Sequence, residues 1–256
     1  MFIAFLAIAS APNHCVADLK MEPARIVPGK PFWIATRFRI QKGWHIYWLN
    51  PGDSGLATRI DWNLPKTFSF LEQRWPPPKE IASAGIVSYG YENVAVVLTK
   101  IMPPKSGLPS HPIIIAKLNW MACEQTCVIE QQSVSLNLSR GHLEGSRSLL
   151  ASARAALPAD GRLIEPIAQE QADHFVLSFR LNGARSAYFF CQDRGVVEPS
   201  GQQALKRIGG RFELAIPKAR AYQPKSGNLT GVLSVEYDRN IRKYWAIHAR
   251  IQSKNR

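Results

Sequence analysis

The sequence predicts an all-β protein: two tandem antiparallel β-sandwiches joined by a short helical linker. Three observations predict it. Apolar and polar residues alternate with period two in segment after segment, the pattern of a strand with one buried face. Eighteen prolines and seventeen glycines are spread along the 256 residues and punctuate those segments as turns. One stretch near the middle is Ala/Leu-rich and reads as a helix. An apolar content of 46% with 20% charged residues belongs to a core-forming globular chain.

The first twenty residues read "MFIAFLAIASAPNHCVADLK". Residues 2–9 are apolar, and both Ala9-Ser10-Ala11 and Cys15-Val16-Ala17 fit a small-residue cleavage site, so residues 1–17 are read as a secretory signal peptide, although a basic n-region is missing. The apolar run is shorter than the about 20 residues needed to span a bilayer. Pro12-Asn13-His14 stands before Cys15 where a lipoprotein would carry small residues. The remainder is expected to be exported to a compartment in which disulfides form.

Residues 18–140 are expected to form the first sandwich. Phe32, Ile34, Thr36, Phe38 and Ile40 alternate with Trp33, Ala35, Arg37 and Arg39. "WHIYWLN" is a second strand closed by the turn "NPGDSG", and "TRIDWNLP" a third. "ENVAVVLTKIMPP" follows, then "HPIIIAKLNWMAC" with Ile114, Ala116, Leu118 and Trp120 on one face, then "QQSVSLNLS" with Val134, Leu136 and Leu138 on one face. Residues 141–160 are a linker in which "SRSLLASARAAL" is a short helix stopped by Pro158. Residues 161–256 resume the alternation with Phe175, Leu177, Phe179 and Leu181, then "SAYFFC", "GRFELAIP", "LTGVLSVEYD" and Trp245, Ile247, Ala249 and Ile251. They make a second, smaller sandwich, by default a scaffold or docking element.

The formal net charge is +13. Lys and Arg are dispersed, the nearest cluster being Arg239, Arg242 and Lys243, and no nucleic-acid-binding motif accompanies them, so no nucleic-acid partner is expected. The surplus suits an acidic protein partner, met at a salt-dependent rate.

Chemistry concentrates in "MACEQTC", residues 121–127, which holds two of the four cysteines. If Glu124, Gln125 and Thr126 form a hairpin loop, Cys123 and Cys127 face each other across an antiparallel pair. Opposed Cα atoms there lie about 4.5–5.5 Å apart, within the span of a disulfide. Closing so short a loop removes little unfolded-chain entropy, so the bridge is a weak staple and better suited to exchange. A structural bridge and a metal site remain open on these residues alone. A closed zinc site needs four ligands, and His45, His111 and His142 have no ligand spacing to one another; two thiolates suit Cu(I) better. Glu92 and Glu124 read as solvated loop charges, although a carboxylate beside Cys123 would disfavour its thiolate. Cys191, in "AYFFCQD", reads as a buried inert thiol. No G-x-S-x-G, H-E-x-x-H or P-loop is present. Asp53 and Ser54 belong to turn chemistry.

"GWHIYWLNPGDSGLATRIDWNLP", "WPPPKEI", "VSYGYEN" and "LNWMACEQTCVIE", in that order, resemble the periplasmic N-terminal region of DsbD-type protein-disulfide reductases, and within them the ScsB (suppressor of copper sensitivity) branch. The likeness is strong over residues 25–140 and looser over 160–251. It implies an immunoglobulin-like fold and a redox pair at Cys123 and Cys127, with Cys127 attacking a partner's disulfide and Cys123 resolving. It implies a cap loop at Ser88, Tyr89, Gly90 and Tyr91, where Ser88 replaces a Phe that the family can carry. It implies periplasmic location, no cofactor and no metal. It also implies two partners: a membrane-embedded DsbD/ScsB-like electron donor on a separate chain, and a thioredoxin-fold disulfide isomerase or similar acceptor. The chain would then be a component of a protein-disulfide reductase. A docking module with a permanent bridge and a copper-binding envelope protein are the rival readings.

Overall fold

The computed structural model describes residues 13–139, 146–222 and 227–253. The first half holds strands β1 (Cys15–Glu22), β2 (Phe32–Ile40), β3 (His45–Gly52), β4 (Arg59–Asn63), β5 (Ser69–Arg74), β6 (Lys79–Ser83), β7 (Ile86–Glu92), β8 (Val94–Met102), β9 (Ile113–Cys123) and β10 (Cys127–Asn137). Helix α1 (Ser146–Ala155) follows. The second half holds β11 (Ala159–Asp160), β12 (Ile167–Glu170), β13 (His174–Phe179), β14 (Ser186–Cys191), β15 (Ala204–Ile208), β16 (Arg211–Pro217), β17 (Asn228–Glu236) and β18 (Arg242–Ser253).

The first half is a sandwich of two antiparallel sheets. One runs β1-β2-β8-β5; the other runs β10-β9-β3-β7-β6, with β4 also on β9. The residues expected to face inward do so: Phe32, Ile34, Phe38, Ile114, Ala116, Leu118 and Trp120 are all in one buried cluster. Ala35, on the other face of β2, is also buried, because Leu150 and Ala153 of α1 pack on it and on Leu98. The helix expected as a linker is thus a cover over the outer face of the sheet. Linker residues 141–145 lie outside the described residues.

The expected leader boundary after Ala17 falls inside a strand. Cys15, Ala17, Leu19 and Met21 alternate with Val16, Asp18 and Lys20 and are buried. β1 pairs with β2 over its whole length, from Cys15 opposite Ile40 to Glu22 opposite Trp33. The alternation of small apolar residues marks a half-buried strand. Residues 2–9, read from the sequence as the apolar part of a leader, lie outside the described residues.

The second half departs from the purely antiparallel expectation. Its strands belong to one sheet of order β14-β17-β18-β12-β13-β16-β15, in which β12 and β11 each pair parallel with β18. The long β18 pairs with β17 along most of its length and passes Ile251–Ser253 to β12, so the sheet folds around one core of Phe175, Leu177, Phe189, Leu214, Leu233 and Trp245. The two halves share buried surface: Phe190 and Val232 of the second half belong to the core cluster of the first. Asn50 Nδ2 donates to the Cys191 carbonyl at 2.9 Å, and the hydroxyls of Tyr89 and Tyr188 meet at 3.0 Å. Among the described residues, no helix is long and apolar enough to cross a membrane.

Candidate functional site

The β9–β10 hairpin presents the cysteines as the spacing predicts. β9 ends at Cys123, β10 begins at Cys127, and the two are register partners. They form a disulfide with a Cα–Cα distance of 4.2 Å. Glu124, Gln125 and Thr126 make the loop, closed by a bond from Glu124 N to the Thr126 carbonyl at 3.1 Å.

The two sulfurs have unequal surroundings. Cys123 is 2% exposed, whereas Cys127 is on the surface. β9 is covered on both edges, by β10 and by β3, and Cys123 stands opposite His45 of β3. β10 is the edge strand of its sheet. Exposed Val128 and Ile129 follow Cys127 along β10, Ile129 on the same face as Cys127.

Below the bridge, Trp120 and Glu130 are cross-strand partners. Glu130 is 7% exposed. Its carboxylate accepts from Trp120 Nε1 at 2.9 Å, from His14 N at 2.8 Å and from Cys15 N at 3.1 Å, and it lies 2.8 Å from His14 Nδ1. The His14 ring stacks on Trp44 with centroids 3.5 Å apart. The flanking Trp and Glu of the motif W-x-x-C-x3-C-x-x-E therefore anchor β1 to the hairpin. Gln132 does the same one step on, its side-chain amide donating to the Ala17 carbonyl and accepting from Ala17 N.

Beside the bridge, the Tyr47 hydroxyl donates to Cys123 Sγ at 3.1 Å and lies 3.3 Å from His45 Nε2. The "NPGDSG" turn holds Tyr47 there. Val87 N donates to Asp53 and Asp53 N donates to the Val87 carbonyl, folding the turn against β7. Gly55, at φ +94°, then lies on the Tyr47 ring, where an added Cβ would be 2.2 Å from a ring carbon. Burial pushes the Tyr47 hydroxyl pKa up, against a hydrogen bond from Ser88 that lowers it. Burial also lowers His45 from its usual value, against the opposing charge of Glu92. Glu124 folds over the β2–β3 turn, its Oε1 2.6 Å from where a Cβ on Gly43 would stand.

The tetrad expected as a cap loop is corrected. Ser88, Tyr89, Gly90 and Tyr91 are all buried and lie within strand β7. Period two puts both tyrosines on one face, in the core. Tyr91 donates to the Pro76 carbonyl at 2.8 Å, and Tyr89 packs edge-on to Phe190 of the second half. Gly90 is needed because β3 passes close: an added Cβ would lie 2.2 Å from the Ile46 carbonyl oxygen. Of the four, Ser88 alone reaches the site, through Tyr47.

His45 approaches the pair, His111 hydrogen-bonds the neighbouring Ser110, and His142 lies outside the described residues. Among the described residues, no group of three or more His, Cys, Asp or Glu side chains converges. Cys191 is buried and Cys15 likewise, and burial pushes both thiols up to about 12. Sequence reasoning assigned no role to Tyr47 or His45; the available signal was their place in the "GWHIYWLNPGDSG" segment.

No curated protein matches the chain by sequence. Among solved structures, the N-terminal periplasmic domain of ScsB from Proteus mirabilis superposes with a TM-score of 0.70 at 17% identity, covering 93% of this chain and 94% of that one. The fold is therefore shared over both halves. The major pilin subunit BcpA of Bacillus cereus overlaps at a TM-score of only 0.32 and 8% identity, covering 94% of this chain and 69% of that one, too little for a common fold. The profile of the family described as thiol:disulfide interchange protein DsbD, N-terminal, matches residues 17–139. That DsbD N-terminal family match thus takes in the first sandwich, with its Cys123–Cys127 hairpin.

Proposed function

We propose that this chain is an exported thiol:disulfide interchange module of the periplasm. It takes electrons from a membrane-embedded DsbD/ScsB-like donor on a separate chain and passes them through Cys123 and Cys127 to thioredoxin-fold partners. The observation that carries this reading is the asymmetry of the pair: Cys127 on the surface at an edge strand, Cys123 buried behind it. A partner's disulfide reaches the first sulfur and not the second. In the reduced protein the Cys127 thiolate attacks a partner sulfur, forming a mixed disulfide and releasing the partner's other sulfur as a thiolate. Cys123 then attacks Cys127 Sγ. The intramolecular bond forms, the mixed bond breaks, and the partner leaves with both sulfurs reduced. Two electrons pass, and no cofactor takes part. Exposed Val128 and Ile129 next to Cys127 and the net charge of +13 suit a partner with an apolar rim and an acidic surface.

The deciding measurement is the reduction potential of the pair, by equilibration in graded thiol buffers and mass counting of alkylated cysteines. The proposal expects a value of roughly −180 to −270 mV, the range of thiol-exchange proteins. A value below about −300 mV marks a permanent bridge and replaces the relay with a docking module.

A further inference from the structure

We infer that Tyr47 and His45 form a proton relay that activates the buried Cys123 thiol for the resolving step. The inference rests on the exchange function proposed above and adds a role for two side chains that function does not use.

The problem it solves is physical. Resolution needs Cys123 as a thiolate, because the thiolate is the nucleophile. Cys123 is 2% exposed, so water does not take its proton directly. Tyr47 is likewise 2% exposed. Its hydroxyl is 3.1 Å from Cys123 Sγ and 3.3 Å from His45 Nε2, and His45 is half-buried, with an edge toward solvent. One chain of contacts thus runs from sulfur to solvent.

In the disulfide form, the Tyr47 hydroxyl donates to Cys123 Sγ and accepts from His45 Nε2. In the mixed disulfide the direction reverses: the Cys123 thiol donates to Tyr47 Oη, and Tyr47 donates to His45 Nε2. As Cys123 Sγ attacks Cys127 Sγ, its proton passes to Tyr47 Oη, and the Tyr47 proton passes to His45, which releases it to water. The Cys127–partner bond breaks, and the departing sulfur leaves as a thiolate. Tyr47 touches the reacting sulfur; His45 acts through it.

The surroundings keep the relay poised. Burial holds His45 neutral at pH 7, with a free nitrogen to accept. The charged groups around it are Glu92, opposite it on β7, Lys79 of β6, 3.6 Å from Glu92, and Glu124 of the hairpin loop, folded over Gly43. Gly55 fixes the Tyr47 ring from behind.

The test uses the intact chain, reduced, with glutathione disulfide as probe, acid quenching and mass spectrometry. The Cys127–glutathione adduct reports the first step, and its disappearance reports resolution. Wild type is expected to show little adduct, and C123S to trap it fully. Tyr47→Phe is expected to accumulate adduct and to resolve at least about 10-fold more slowly, at the low end of general acid–base effects. Wild-type resolution should fall in acid, at a pH below the ordinary histidine range, where His45, held down by burial, takes up its own proton. His45→Gln should be slow and lose that dependence. If Tyr47→Phe does not fold, the half-exposed His45→Gln decides alone. Resolution by the variants at the wild-type rate with the wild-type pH profile overturns the relay. A wild type that forms no adduct, and closes no disulfide with glutathione, overturns the exchange function and the relay with it.

Discussion

Replacing Glu130 with alanine tests whether the Trp and Glu that flank the cysteines are structural. The carboxylate is 7% exposed and holds three N–H donors: Trp120 Nε1, His14 N and Cys15 N. Alanine removes the acceptor and leaves the donors in place. Two of those bonds, to Trp120 Nε1 and Cys15 N, are wholly buried. A buried donor left without a partner costs about 1–3 kcal/mol, so the pair predicts a loss of about 2–6 kcal/mol. The lower end is already a large share of a typical domain's 5–15 kcal/mol. The assay is urea unfolding of the oxidised protein, read as a shift in midpoint at constant slope. The reduction potential of Cys123–Cys127 should stay at its wild-type value, since Glu130 anchors β1 and does not touch either sulfur. A loss below about 1 kcal/mol would refute the reasoning, because the freed donors would then have found other partners. A shifted potential at intact stability would refute it differently, by giving Glu130 a redox role.

Three further outcomes are expected. A chain beginning at Asp18 loses the pairs of Cys15, Val16 and Ala17 with β2, the anchor at Glu130, and both Gln132 bonds to Ala17. It should melt well below a chain beginning at Pro12 in a thermal scan, and equal melting points would show that β1 contributes nothing before Asp18. In the native reduced protein, alkylation at pH 8 should label Cys127 quickly and spare Cys15 and Cys191, while denaturant exposes all four to mass counting. Both spared thiols are held up at about 12 by burial, against an ordinary value of 9.0. A folded-state pKa above the unfolded one stabilises the fold below pH 9, and that contribution drains away as pH rises from about 9 to 12. Base unfolding that does not lessen in Cys191→Ala would argue against it.

How much was legible before the structure follows from the range of each interaction. Period-two alternation is written into single strands, so the inward faces of β2, β9, β13 and β18 could be read from the sequence, as could the helix at 146–155. The Cys-x3-Cys hairpin was legible for the same reason: five consecutive residues contain the loop and both partners. Two local patterns fold as strands where the sequence pointed elsewhere. Cys15, Ala17, Leu19 and Met21 alternate as a strand but adjoin the apolar run of residues 2–9, and Ser88–Tyr91 carries loop-forming Ser and Gly although β7 is held by β3 and β6 on either side. Only tertiary structure decided what surrounds the sulfurs. Tyr47 lies 76 positions from Cys123, Glu130 lies 116 from His14, and Asn50 lies 141 from Cys191. Such contacts depend on which strands become neighbours, and strand order is a property of the whole packed chain. The sequence by itself determined the two β halves and the cysteine pair. The fold decided that one sulfur faces solvent while the other is buried against a tyrosine.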